Sequence, residues 1–549
     1  MLQDIDPQFL SETERYRRLA RLERYFAGTQ YDDRPDWYST KDDVPARERR
    51  PCVIYPLPRA AVNQAVRFAI GEGKFPRLTV DEVDADDAFA PEFALSDEQA
   101  KELTEALENI ARRSNLRSEC RTMMRRGLST GTAVVALSVR EGRFEFEHPS
   151  AKDCIPTFVN GDPDGKVESL IWSYQYDEIE RGDDGHPVCK RYAFRRDYDA
   201  VSVTEYAPAP IEVGKKIEWT VTESKPHGLG FCPIVWCRNL PDECGSAIDG
   251  AAIFDGLLDE IDALNFALSK RHQGIEVLGT PQPYEIGVQD GDGPGMAGRT
   301  AAPQPKDSRA PTYSSGAQRA ARTRAARKTG PDQLWSYQGI DVELGLVETT
   351  GKAFEVASAH VNDIRARLLE AMDVILLDPT TVAGKGDMSA KALALMYAPM
   401  LALVDELREW WWEHALRPLL DMMLQAVSVL GPSVLVKGAA KLAATLKKRT
   451  VVIDGAEHWE PPTIEPLWGE YFAPSAEEIT QAVTAATAAK TGGLIAAETA
   501  SRFVANFFGV TEIEPELEAV EEEQAAATEE ALKTAQATGG QPMGDTPTE

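Results

Sequence analysis

From Thr132 to about Asn239 the chain runs in short stretches of alternating, β-branched or aromatic residues, and on either side of that region it does not. "TAVVALSV", "RFEFEH", "VESLIWSYQY", "KRYAFRR", "AVSVTEY" and "KKIEWTVTE" each put side chains on two faces in turn, and "NGDPDG" and "RGDDGHP" supply turns between them. Such a pattern predicts antiparallel strands. The flanking sequence follows a helical period instead, with helices predicted over 11–27, 58–71 and 96–127 before the strands. Segregated strands and helices of this kind predict an α+β chain.

After the strands come two long amphipathic helices. In the first, Ile253, Leu257, Ile261, Leu264 and Leu268 share one face, Asp255, Asp259 and Asp262 lie opposite, and the end falls near Gly274. The second runs from about Val347 to Ile375, with Phe354, Ala357, Val361, Ile364 and Leu368 spaced for packing against other helices. Between them, residues 280–340 are rich in Gly, Pro, Ala and Arg and show little regular pattern. A third helical tract, about 389–428, contains Pro399 and Pro418, each expected to kink or break it. "RTVVID" reads as a strand, an alanine-rich helix begins near Ser475, and roughly the last 20 residues have the composition of a disordered tail. In "WWWEH", consecutive tryptophans step about 100° around a helix, so at least one must meet another element or subunit, or stay exposed.

At 549 residues the chain is long enough for several domains. Its net charge of −29 argues against gripping DNA through a broad basic face. No apolar run is long enough for a membrane span, and the charged N-terminus lacks the apolar centre of a signal peptide. Seven scattered cysteines read as reduced thiols of a cytoplasmic protein.

No stretch has the pattern of a catalytic or cofactor site. "TTVAGKGDMSAKAL", residues 380–393, has the glycines, lysine and serine of a phosphate loop, but Lys385 is followed by Gly386 and Asp387, and a helix end rather than a strand precedes it. His227, Cys232, Cys237 and Cys244 lack a C-x2-C pair, and small buried cysteines are the plainer reading. His458 in "DGAEHWEPP" lies beside acids without the H-E-x-x-H spacing of a metalloprotease. The expectation is therefore no enzyme, no metal and no cofactor. The charge distribution is more informative: residues 299–328 hold eight bases against the single acid Asp307, whereas 475–549 hold fourteen acids and three bases. The basic run is either a docking surface or a solvated loop.

The order of segments, with "RYFAGTQ", "HGLGFCPIVWCRN", "DEIDALNFALSKRHQGIEVLGTPQPY", "DQLWSY", "MSAKALALMYAPMLALVDELREWWW" and "TAAKTGGLIAAETASRF" along it, resembles bacteriophage portal proteins of the siphophage-like, head-tail connector kind. The resemblance covers most of the chain; the insert 285–335 departs from it. It implies a portal fold: an N-terminal and β-rich wing over 1–245, a stem helix over 246–275, a small clip over 276–340, and a second stem helix over 341–375. A tunnel loop over 376–390, a kinked helix and wing over 391–470, and a helical crown with acidic tail over 471–549 would complete it. It further implies a homo-oligomeric ring of about twelve subunits at one vertex of the capsid, within the virion and, during assembly, the host cytoplasm. Double-stranded DNA would pass through the channel during packaging and ejection. The ring would meet the terminase large subunit, head-completion or adaptor proteins, and capsid and scaffold proteins, with no membrane partner.

On this reading Gly384, Lys385 and Gly386 line the DNA channel, the glycines allowing a sharp turn. The alternative for Lys385 is a local pair with Asp378 or Asp387. Arg319, Arg322, Arg324, Arg327 and Lys328 would be the clip's docking residues. Another virion component, such as a capsid or tail-adaptor protein, is the alternative function, and an enzyme with an unrecognised site is a third.

Overall fold

The computed structural model describes residues 6–32, 51–71, 73–80, 95–181, 186–212, 215–240, 248–278, 282–286, 335–337, 343–347, 352–376, 390–431, 439–453, 456–469, 471–472, 476–492, 499–501, 504 and 520. They form a mixed helix and sheet structure in two compact units, one of residues 1–376 and 403–467, the other of 377–402 and 468–549.

The first unit opens with α1 (Glu14–Ala27), α2 (Leu57–Ile70), β1 (Arg77–Val80), α3 (Asp97–Arg113) and α4 (Leu116–Thr130). Local chemistry sets the ends. Thr13 caps α1 by accepting from the Tyr16 N–H at 3.2 Å, and Ser96 with Gln99 forms a capping box on α3. The single helix expected over 96–127 is two helices, because Asn115 turns the backbone into the left-handed region at φ 51°.

The strands follow: β2 (Thr132–Arg140), β3 (Arg143–Glu147), β4 (Cys154–Phe158), β5 (Val167–Arg181), β6 (Pro187–Tyr198), β7 (Ser202–Tyr206), β8 (Ala209–Pro210), β9 (Val221–Pro226) and β10 (Ile234–Arg238). They make two antiparallel sheets, as the alternation predicts: β10-β2-β3, and β4-β5-β6-β7-β9 with β8 beside β6. Tyr174 and Tyr176 of β5 stack on Phe194 and Tyr192 of β6, with centroids 4.8 and 6.0 Å apart.

Next come α5 (Leu258–Leu278), β11 (Gln282–Ile286), β12 (Trp335–Tyr337), β13 (Glu343–Val347) and α6 (Lys352–Ala371). The kinked tract follows as α7 (Ala390–Met396), α8 (Ala398–Trp411), a π turn over Trp412–Leu416 and α9 (Arg417–Leu430). Pro418 explains the π turn: it has no N–H for the His414 carbonyl and its ring crowds that carbonyl. The helix widens instead, and the Arg417 N–H bonds to the Trp412 carbonyl. Trp411 and Trp412 are buried, while Trp410 and Trp411 reach back to the end of β10, donating to the Arg238 carbonyl at 2.7 Å and to Asn239 Oδ1 at 3.1 Å. Gly127 of α4 admits Trp411, since a Cβ there would sit 2.4 Å from its ring.

α10 (Ala439–Lys447), β14 (Thr450–Ile453), β15 (Ala456–Trp459) and β16 (Ile464–Leu467) complete the unit, with β16 pairing back to β1 and β14 to β15. The second unit holds α7, the start of α8 and α11 (Ala476–Thr491), and Tyr397 lies 5.6 Å from Phe472 between ring centroids.

Burial raises the Asp421 carboxyl of α9 to about 6, against lowering by Arg417 and Lys166. Between an ordinary value near 4 and about 6 the folded chain holds this proton while the unfolded chain releases it, so stability falls as pH rises through that window. Asp421→Asn should therefore stabilise the protein at pH 7 by about 1–2 kcal/mol, and the gain should vanish below about pH 4 in thermal melts.

Candidate functional site: two helices and the sheet between them

α5 and α6 pack together and are joined through a small sheet of order β12-β11-β13. β11 runs antiparallel to β13, with Gln282 opposite Val347, and parallel to β12, with Tyr284 opposite Trp335. The C-terminal end of α5 thus meets the N-terminal end of α6. Gly274 faces Phe354 at this junction: a Cβ on it would lie 3.5 Å from Phe354 Cε1, an ordinary van der Waals contact. The chain runs toward the sheet along α5 and away from it along α6, so the two helices are antiparallel.

The stripe expected on α6 is the buried one, with Val361, Ile364 and Leu368 inside. Of the stripe expected on the first helix, Ile261 and Leu264 of α5 are buried and Leu268 is half-buried, while Ile253 and Leu257, also half-buried, precede α5. The acids opposite are partners of α1 and of the turn after it. Asp255 takes Arg18 at 2.6 Å, Asp259 lies 3.7 Å from Arg21, and Asp262 accepts from the Tyr31 hydroxyl. Burial, with Asp262 as acceptor, pushes the Tyr31 phenol above its ordinary value.

Two polar residues of α5 that sequence reasoning passed over hold the segment before α2. Asn265 and Ser269 are fully buried; Asn265 Oδ1 accepts from the Tyr55 N–H at 2.8 Å and Ser269 Oγ from the Val53 N–H at 3.0 Å. An extended segment leaves its backbone N–H groups without local partners, and these two side chains supply them.

The helix expected from 246 begins at Leu258, because the residues before it are committed elsewhere. Asp249 accepts from Arg15 at 2.6 and 2.8 Å and from the Thr132 hydroxyl at 3.0 Å. Leu240 bridges to Ala251, and the Ile253 N–H donates to the Leu128 carbonyl at 3.0 Å. A backbone donating across the fold cannot also donate to its own i−4 carbonyl. The far end also runs past Gly274, to Leu278.

The segment with little regular pattern, 280–340, contains β11 and β12, β13 follows it, and α6 starts at Lys352 rather than Val347 because Val347 ends β13. Gly384, Lys385 and Gly386, and Arg319, Arg322, Arg324, Arg327 and Lys328, lie outside the described residues. The helix predicted after the glycine-lysine loop is present as α7. Of the cysteine–histidine group, Cys244 lies outside the described residues, and Cys232 and Cys237 are buried. Burial pushes the Cys232 thiol up to about 12. His227 Nε2 donates to the Asp199 carbonyl at 3.0 Å and Nδ1 accepts from the Leu229 N–H at 3.1 Å. Among the described residues no group of His, Cys, Asp and Glu is placed to hold a metal, and no helix is long and apolar enough to cross a membrane.

On the outside of the helix pair, Val356 is 70% exposed and Ile275 54% exposed, both near the sheet. Isolated apolar side chains on a surface are ordinary, but these two lie on the same two-helix unit.

No protein-family model matches the chain, and no curated protein matches its sequence. Among solved structures it is similar to a chain from the neck of an empty GTA particle computed with C6 symmetry. The identity is 13%, with 82% of this chain and 90% of that chain covered, and the TM-score is 0.33.

Proposed function

We propose that the chain is the subunit of a portal ring, a structural protein at one capsid vertex through which double-stranded DNA is packaged and later ejected. The observation that carries the reading is the helix–sheet–helix unit of α5, the β11–β13 sheet and α6. It stands in the chain where the resemblance puts stem, clip and stem. The small sheet would be the platform for the terminase and then for head-completion proteins, and the basic run 299–328 belongs to the same stretch of chain. The chemistry in this role is positioning and sliding, with the energy for packaging supplied by the terminase.

Exposed Val356 supports the assembly part of the reading, because a helix pair that meets its neighbours in a ring needs apolar contact on its outer face. Val356→Glu should leave the chain folded, with an unchanged circular dichroism spectrum, while shifting sedimentation from a large ring to small species. Intact rings in that variant would remove this face from the interface.

Docking and guiding are tested together in a packaging assay. Replacing Arg319, Arg322, Arg324 and Arg327 with glutamine should spare ring assembly and impair terminase-dependent packaging. Lys385→Glu should spare rings and reduce DNA retention. Packaging at the parental level by both variants would leave the basic run a solvated loop and Lys385 a local ion pair.

A further inference from the structure

A cleft of about 690 Å³ opens between β1 with the turn before it and the junction of α3 and α4. Arg77 of β1, Arg112 of α3, and Arg117 and Arg121 of α4 all line it, and Glu108 is the single carboxylate among the described lining residues. Arg77, Arg112 and Arg117 are exposed and Arg121 is half-buried. Arg121 is held in place, its Nε donating to the Ile70 carbonyl at 3.0 Å, and the Arg117 guanidinium lies over the Phe75 ring at 5.6 Å.

Among the described residues none of these four arginines makes an ion pair. Elsewhere in the same unit arginines are divided: Arg15, Arg191, Arg195, Arg196 and Arg238 each bond to a carboxylate, while Arg59, Arg125 and Arg126 bond to neutral acceptors. In a chain of net charge −29, carboxylates are in surplus, so four guanidiniums gathered around one cavity with Glu108 as the single carboxylate among the described lining residues suit an external anion. The C-terminal end of α3 and the N-terminal end of α4 both reach the cleft, so their dipoles oppose one another and the guanidiniums set the local field.

We propose that this cleft binds phosphate oxyanions, and that the phosphodiester backbone of duplex DNA supplies them. Guanidinium forks suit phosphate because each can donate two parallel N–H bonds. Here the forks arrive from three elements. A carboxylate offers its two oxygens in one plane, whereas a tetrahedral phosphate also offers oxygens out of that plane and can accept from separate walls. The site lies wholly within one chain and does not rest on the ring reading.

The test uses the full-length chain at low salt, with a short labelled duplex followed by fluorescence anisotropy and tripolyphosphate followed by calorimetry. Both should bind, and tripolyphosphate should displace the duplex. Arg112→Gln with Arg117→Gln should weaken both by about tenfold or more. It should also flatten the plot of log affinity against log salt by about 2, since each phosphate contact contributes roughly 0.9 to that slope. The unchanged melting temperature expected of two unpaired surface arginines shows that the variant is folded. Arg112→Lys with Arg117→Lys should retain part of the binding, and Arg143→Gln, outside the cleft, should change nothing. Tripolyphosphate binding without duplex binding supports the phosphate site and assigns it to a free polyphosphate or nucleotide instead. Absence of both, equal binding by the double glutamine variant, or displacement of the duplex by poly-glutamate but not by tripolyphosphate overturns the proposal. A monomeric chain that binds duplex through the cleft would refute the ring and keep the cleft, and a ring indifferent to phosphate would do the opposite.

Discussion

Gly131→Ala is expected to lower stability by about 2–5 kcal/mol, combining a left-handed backbone cost of about 1–2 kcal/mol with overpacking of about 1–3 kcal/mol. Gly131 links α4 to β2 at φ +84°, where side chains other than glycine are strained. A Cβ on it would lie 2.1 Å from the Gly250 carbonyl oxygen, which is backbone and cannot swing away. The approach is reciprocal, since a Cβ on Gly250 would lie 2.6 Å from the Gly131 oxygen. That oxygen already accepts from the Asn239 and Gly250 N–H groups at 2.7 and 3.2 Å, so moving either strand of this crossing breaks bonds of the other. Chemical denaturation of the variant measures the whole cost, and Gly161→Ala, at φ +73° with open space around it, gives the left-handed part alone. A loss below about 1 kcal/mol would mean that the crossing relaxes freely.

Asp249→Ala should cost about 3–5 kcal/mol, the range for stripping one partner from a buried ion pair. Asp249 is only 1% exposed, and its two oxygens take Arg15 and Thr132. Arg15 also donates to the carbonyls of Cys154 and Ala151 at 3.1 and 2.9 Å, so its guanidinium ties α1, the turn before β4 and the approach to α5 together. Removing the carboxylate leaves that charge buried among neutral acceptors. Asp249→Asn keeps the shape and some hydrogen bonding, so it should cost less than alanine; equal losses would point to packing rather than charge. Both positions act on the start of α5. A disturbed junction should therefore also weaken assembly, if α5 is the helix that subunits build with.

Much of the fold could be read from the sequence wherever the signal is local. The α6 stripe of Val361, Ile364 and Leu368 is buried as its spacing implies, and the alternating region from Thr132 forms the two larger antiparallel sheets. Pro418 marks a break as its sequence position implies, and the π turn over Trp412–Leu416 absorbs it. Features fixed by distant partners escaped. β1 pairs with β16, nearly four hundred positions away, and β11 is only five residues long with its parallel partner across the insert. The start of α5 is not local information, because Asp249 answers to Arg15 and Thr132, residues no local window contains. Asn115 breaks a helical pattern with neither glycine nor proline present, through its own tolerance of the left-handed region. The helix pair was legible as two amphipathic segments, but the sheet joining them was not. The arginine cleft draws on residues from β1, α3 and α4 that are unremarkable in isolation.

The central claim is that this chain assembles into a closed ring with a DNA-sized channel. Electron microscopy of the purified full-length protein, with its mass in solution measured alongside, tests it most directly. Discrete rings of about twelve subunits are expected, with an axial opening wide enough for a duplex and one mass close to twelve times that of a single chain. A monodisperse monomer at high concentration and moderate salt, or closed shells and open sheets without a channel, would contradict it.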